Sequence, residues 1–126
     1  MDRRYGIINK QYTPFNQIDS IKNVVVAFDD DKSIGCGSFK KFDNDMVEIK
    51  RMFVKPEARG SGAAKLILLE LEKWAVESGY KSSVLETGIK QPDAIKFYEK
   101  NGYSKIENYG QYIGNSNSVC MSKKLL

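Results

Sequence analysis

The sequence predicts a mixed α/β layer with a strand–helix–strand crossover at its centre, and three observations carry that prediction. Short apolar, β-branched runs alternate with turn signals before Pro56. From Ala64 the hydrophobic period lengthens to that of a helix. At Ser82 strand patterning returns, so that a helix lies between two strands.

The elements follow in order. Val24-Val25-Val26-Ala27-Phe28 is stopped by Asp29-Asp30-Asp31, and a second run from Ile34 to Phe39 makes the pair a hairpin. After Asp43-Asn44-Asp45 comes Met46 to Val54. There Val47, Ile49 and Phe53 alternate with Glu48, Lys50, Met52 and Val54, with Arg51 interrupting the first set. Pro56 ends this strand because it has no amide to give a ladder and restricts Lys55 before it. Ala64, Ile67, Leu68, Leu71, Trp74 and Ala75 then recur at helical spacing, with Glu70, Lys73 and Glu77 on another side and Gly79 as the stop. Ser82 to Thr87 is the next strand. Pro92 stands where a first helical position belongs, ahead of Ala94, Ile95, Phe97 and Tyr98, and Asn101-Gly102 closes that helix. Two last strands, Tyr103 to Ile106 and Val119 to Lys123, flank a Gly/Asn-rich loop containing Tyr109-Gly110-Gln111-Tyr112.

Bulk properties narrow the function. A chain of 126 residues with no linker, repeat or low-complexity tract predicts a single domain over residues 1–126. No apolar run approaches the roughly 18 residues of a membrane span, and Met1 to Tyr5 leads into polar sequence, so a cytoplasmic protein without a membrane partner is expected. Cys36 and Cys120 sit in apolar runs without C-x-x-C spacing and read as small core residues. There is no histidine, so the commonest metal ligand and the commonest general base are both missing, and no metal is expected. The net charge of +4 tilts the partner towards an anion. The basic residues are interleaved with sixteen acids, and no basic stripe or stacking motif points to nucleic acid.

The informative stretch is Arg59-Gly60-Ser61-Gly62-Ala63-Ala64. It brings two glycines and two alanines to a helix N-terminus, where the first amides lack intrahelical partners and the macrodipole leaves partial positive charge. Glycine lets an oxygen-rich group approach those amides, and a phosphorylated ligand fits such a cradle. The spacing is not that of a Walker A loop, and Lys65 stands where the dinucleotide pattern needs its third glycine.

With its flanks, "MFVKPEARGSGAAKLILLELEKWA" resembles the coenzyme A motif of the GNAT superfamily of N-acetyltransferases. The core of that motif, Arg/Gln-x-x-Gly-x-Gly/Ala, is met by Arg59, Gly62 and Ala64. "AIKFYEKNGYSKI" is similar to the second signature of the superfamily, a helix with an aromatic-Tyr pair followed by Gly-aromatic and a strand. The resemblance runs from about Val24 to the C-terminus. It implies a GNAT-like α/β (α+β) fold, with a mostly antiparallel sheet, one splayed parallel pair and flanking helices. It further implies acetyl-CoA as acyl-donor cosubstrate and a small-molecule or protein amine as acceptor.

By the same resemblance, the pantetheine arm would enter where the strand ending at Val54 splays from Ser82 to Thr87, meeting the backbone of Met52, Phe53 and Val54. The pyrophosphate would rest on Arg59, Gly60, Ser61, Gly62, Ala63 and Ala64. An amide near Val54 could polarise the thioester carbonyl. Tyr98 matches the tyrosine that serves many members as general acid towards the CoA sulfur. Glu48 matches the glutamate that some use as base, often through water, and otherwise reads as a solvated strand residue facing Lys50. Glu86 is a second candidate base.

One departure concerns the N-terminus, where members of the superfamily carry a strand and two helices that build much of the acceptor site. Only 23 residues precede Val24. Tyr5 to Asn9 reads as the strand and Phe15 to Ile21 as at most a short helix, so the acceptor pocket is either abbreviated or completed by another subunit of a homodimer. Two other readings stay open, a non-catalytic acyl-CoA-binding module and a small basic nucleic-acid-binding domain with an isoelectric point near 9.0.

Overall fold

A computed structural model describes residues 7–13 and 22–126. The strands are β1 (Ile7–Thr13), β2 (Lys22–Asp29), β3 (Lys32–Lys41) and β4 (Met46–Val54), followed by helix α1 (Ala63–Glu77). Strand β5 (Ser82–Gly88), helix α2 (Pro92–Lys100), β6 (Ser104–Ile106) and β7 (Ser118–Lys124) complete the order, with single 3-10 turns at Pro56–Ala58 and Gly110–Tyr112. One sheet contains all the strands in the order β1-β2-β3-β4-β5-β7-β6. Every neighbouring pair is antiparallel except β4–β5. The expected mixed sheet with one parallel pair is therefore present. The strand expected at Tyr5 to Asn9 is met by β1 from Ile7 onward, and the segment Phe15 to Ile21 lies outside the described residues.

Strand β4 departs from the simple alternation expected of it. Cys36 pairs with Phe53 and Ser38 with Lys50, so Gly37 faces two residues, Arg51 and Met52, and the strand bulges there. A bulge adds one residue to the count and re-aims everything after it. Val47 and Ile49 are buried before the bulge and Val54 after it, whereas Phe53, expected in the set with Val47 and Ile49, is 50% exposed.

The core forms where α1 lies on β2, β3 and β4. The helix buries Ala63, Ile67, Leu68, Leu71 and Ala75 on one face, as its period requires. Two glycines in β3 let it come close. A Cβ on Gly37 would stand 2.5 Å from the Met52 sulfur and 2.9 Å from Ile67, and one on Gly35 would stand 2.8 Å from the Phe53 carbonyl oxygen. Phe39 extends this core by edge contacts with Trp74 and Tyr80, at centroid separations of 5.6 and 6.3 Å.

Both helices end in the same device. Gly79 (φ 97°) and Gly102 (φ 96°) take the left-handed conformation. Tyr80 then donates to the Ala75 carbonyl and Gly79 to Val76, while Tyr103 donates to Tyr98 and Gly102 to Glu99. These are Schellman caps, in which the residue after the glycine packs back on the helix. Here the contact joins Tyr103 to Tyr98, with ring centroids 5.6 Å apart. Tyr103 also gives its hydroxyl proton to a buried polar cluster. It lies 2.9 Å from Glu72 on α1 and 2.9 Å from Ser83 on β5, and Lys123 on β7 donates to the other Glu72 oxygen at 2.8 Å. The cluster ties α1, β5, β7 and the end of α2 together on one side of the sheet.

The close approach at Gly37 generates a stability test. Gly37→Val should cost roughly 1–3 kcal/mol or more, because α1 must lift from the sheet or Met52 and Leu71 must leave their rotamers. Urea unfolding of parent and variant measures this.

Candidate active site

The parallel ladder between β4 and β5 is short. Met46, Val47 and Glu48 pair with Ser82, Ser83 and Val84, and no pair follows. Beyond it β5 stays paired with β7 as far as Gly88 and β4 with β3 as far as Val54, so the two strands are drawn apart. The opening is a cleft of about 660 Å³ bordered by Lys50 and Met52 on β4, Glu86 on β5 and Ala94 and Tyr98 on α2. It continues past Met52, Ala94 and Tyr98 into a recess of about 480 Å³ that ends at Arg59 and Gly60. The expected entry between the splayed strands thus coincides with a real gap. Lys55 donates to the Ile34 carbonyl at 2.8 Å, so Val54 is a non-hydrogen-bonded partner of Gly35 and its N–H and C=O turn towards the cleft. Phe53 pairs with Cys36 on the other side and borders the recess with its ring; Met52 lies in the bulge.

At the far end of the recess, the loop after β4 delivers a helix N-terminus. The first α1 amide to find a carbonyl is that of Leu66, on Gly62, which leaves the amides of Ala63, Ala64 and Lys65 unpaired among the described residues. Gly60 (φ 80°) and Gly62 (φ 92°) turn the chain, and nothing lies within 4 Å of where a Cβ on either would stand. An open, amide-lined cradle of this kind fits a pyrophosphate. Arg59 is more than a loop cation. Its Nε donates to the Val54 carbonyl at 3.0 Å and its guanidinium lies 5.9 Å from the centre of the Phe53 ring, which fastens the cradle to β4. Ser61 donates its hydroxyl to the Ala58 carbonyl.

Tyr98 stands where the two parts of the cleft meet. Its cap contact with Tyr103 and an edge contact with Phe97 at 5.2 Å fix the ring, which is 8% exposed. The hydroxyl has no hydrogen-bond partner among the described residues. Burial pushes its pKa up from 10.0 to about 12, so the phenol is a proton donor at every physiological pH.

The opposite face of the sheet carries the other polar groups. Glu48 and Val84 form the last bridged pair and point the same way, so Lys50 and Glu86, two residues on, also share that face. Glu48 is 4% exposed, not the solvated strand residue that its surroundings in sequence allowed. Tyr109 donates to its carboxylate at 2.8 Å, Lys50 lies 3.7 Å away and Lys40 4.0 Å. Glu48 borders a side recess of about 310 Å³ together with Tyr109 and Tyr112. Lys50 donates to the Tyr112 hydroxyl at 3.1 Å. Burial works to lower the Lys50 pKa, but the Tyr112 hydrogen bond and the Glu48 and Glu86 carboxylates outweigh it and hold the ammonium above its ordinary value. Burial and the Glu48 hydrogen bond likewise push the Tyr109 phenol up. Glu86 faces the main cleft without a hydrogen bond or ion pair among the described residues. Cys120 pairs with Glu86 across the sheet and is buried, and burial pushes its thiol up.

Comparison with known proteins agrees with this architecture. The model of the acetyltransferase (GNAT) family matches residues 4–103, and the chain belongs to that family. It is 34% identical over 93 residues to an IAA acetyltransferase of Azospirillum brasilense, covering 73% of this chain and 61% of that protein. It is 36% identical over 101 residues to the uncharacterized N-acetyltransferase YsnE of Bacillus subtilis, covering 79% of this chain and 67% of the other. The chain thus spans about two thirds or less of the length of these relatives. The PaiA N-acetyltransferase of Thermoplasma acidophilum, solved in complex with coenzyme A, superposes with a TM-score of 0.71 at 29% identity, over 80% of this chain and 59% of that one.

Two measurements follow. Gly62→Glu should fold with a loss of about 1–2 kcal/mol, the cost of a side chain at positive φ, and should no longer bind acetyl-CoA in a calorimeter. Tyr98 holds its proton more tightly folded than unfolded. The unfolded chain therefore releases that proton first, and stability falls as pH rises from about 10 to about 12. Urea unfolding across that range should show a shallower fall in Tyr98→Phe.

Proposed function

We propose that this chain transfers an acetyl group from acetyl-CoA to a primary amine. The observation that carries the reading is a single continuous cleft. At one end it has the amide cradle of Gly60 to Lys65, and at its waist a buried tyrosine hydroxyl with no hydrogen-bond partner among the described residues. The complex of PaiA with coenzyme A supports the choice of donor.

The residues divide the work. The amides of Ala63, Ala64 and Lys65, with Arg59 beside them, would hold the pyrophosphate, and β4 would line the pantetheine arm with the free Val54 backbone, the bulge at Met52 and the Phe53 ring. The Val54 amide is turned into the cleft, where it can donate to a thioester carbonyl oxygen. Acetyl-CoA, when bound, supplies the activated acetyl group. The acceptor arrives as an ammonium, and Glu48, through water across the Lys50–Tyr112 pair, takes one proton from it. The amine lone pair then bonds to the acetyl carbon, the carbon–sulfur bond breaks, and the Tyr98 phenol gives its proton to the departing sulfur. The amide nitrogen sheds its second proton, which restores Tyr98. The net products are an N-acetyl amine, CoA thiol and one proton.

Tyr98→Phe keeps the ring and removes the donor. Turnover on the best amine of a panel, followed by free CoA thiol, should fall about 10²–10⁴-fold while acetyl-CoA affinity barely moves. A non-catalytic binder would show no release in the parent, and full turnover in the variant removes the acid role. Glu48→Gln should lower turnover while sparing acetyl-CoA affinity.

A further inference from the structure

Two of the residues that border the main cleft are charged, they differ in sign, and they stand on opposite walls. Lys50 is on β4 and Glu86 on β5. In register they are the first same-face positions beyond the last bridged pair, Glu48 with Val84, which is where the strands begin to part. Neighbours there would otherwise form an ion pair, yet none within 4.0 Å joins them. Lys50 gives one N–H to the Tyr112 hydroxyl and stands 3.7 Å from Glu48, beyond hydrogen-bond distance, so two N–H groups stay available to a ligand. Glu86 has no hydrogen bond or ion pair among the described residues. Around them on the same face, Glu48 lies between Lys40 at 4.0 Å and Lys50 at 3.7 Å, so the two ammonium groups and two carboxylates sum to zero, with the positive wall on β4 and the free carboxylate on β5. A dication would meet Lys50 and a dianion would meet Glu86. A neutral molecule carrying one charge of each sign satisfies both walls at once.

We propose that the acceptor is a zwitterionic amine, an amino acid or close relative, bound with its carboxylate on Lys50 and its ammonium on Glu86. This rests on the acetyl-transfer reading and names its substrate class. The same pose sets the amine in the cleft that Tyr98 lines, and two residues along the sheet from Glu48. Lys50 acts as a specificity residue, and Glu86 positions the nitrogen.

The test is free CoA release with acetyl-CoA and three matched series: free amino acids, their carboxamides and the corresponding decarboxylated amines. The parent should prefer the best free acid over its carboxamide by about ten- to a hundredfold in kcat/KM, the worth of a hydrogen-bonded charge. Lys50→Met should bring that ratio towards one, whereas Lys50→Arg, which keeps the charge, should retain it. Glu86→Gln should raise KM about tenfold or more for the amino acid. Equal rates on acid and carboxamide, or a preference that survives in a folded Lys50→Met, overturn the proposal while leaving acetyl transfer standing. If calorimetry shows acetyl-CoA bound but no series releases CoA, the transfer reading falls and this proposal falls with it.

Discussion

The parallel ladder between β4 and β5 stops after Glu48 and Val84, and the geometry of the site follows from that stop. Each strand has a partner on its far side that continues without it: β3 for β4, and β7 for β5. Closing the gap would require one of those antiparallel ladders to break. Leaving it open exposes backbone donors and acceptors that a polar, extended ligand can satisfy, so the cost of the missing ladder is offset when something is bound. The bulge opposite Gly37 contributes by bending β4 at the point of divergence and by turning the Val54 backbone towards the opening.

A gap in a sheet is useful only if its walls hold still. The wall formed by α2 is fixed at its C-terminus, where the Schellman cap presses Tyr103 against Tyr98 and the Tyr103 hydroxyl enters the cluster with Glu72, Ser83 and Lys123. Such a buried charged cluster contributes little net stability against an apolar replacement, but losing one member strands the others. Its value here is positional. It connects α1, which begins at the cradle, with β5 and β7 and with the tyrosine at the waist of the cleft.

Much of this was legible in the sequence. Period located the core strands and both helices because each element has a single buried face, and the Gly79 and Gly102 stops were visible because only glycine takes those angles at no cost. Other features were hidden by their nature. A bulge is a mismatch between two strands, so nothing in β4 alone says that the inward set shifts from Ile49 to Val54; the two glycines of β3 were the only trace. The burial of Glu48 depends on Tyr109, 61 residues away in a Gly/Asn-rich loop whose tyrosines carry no periodic signal. Glu72 falls among the apolar positions of α1, and its partners, Tyr103 and Lys123, come from two later segments of the chain.

The two faces of the sheet set their titratable groups in opposite surroundings. On the α1 side Tyr98 lies among Phe97, Tyr103 and apolar side chains, with no group among the described residues to stabilise a phenolate, so burial holds its proton in place. On the other side Glu48 accepts from the Tyr109 hydroxyl at 2.8 Å and has the Lys50 and Lys40 ammonium groups at 3.7 and 4.0 Å. The gap between β4 and β5 opens onto both faces, since Tyr98 from the α1 side and Lys50 and Glu86 from the other border one cleft. A ligand held in that cleft is therefore within reach of groups from both faces, which a closed sheet would keep apart.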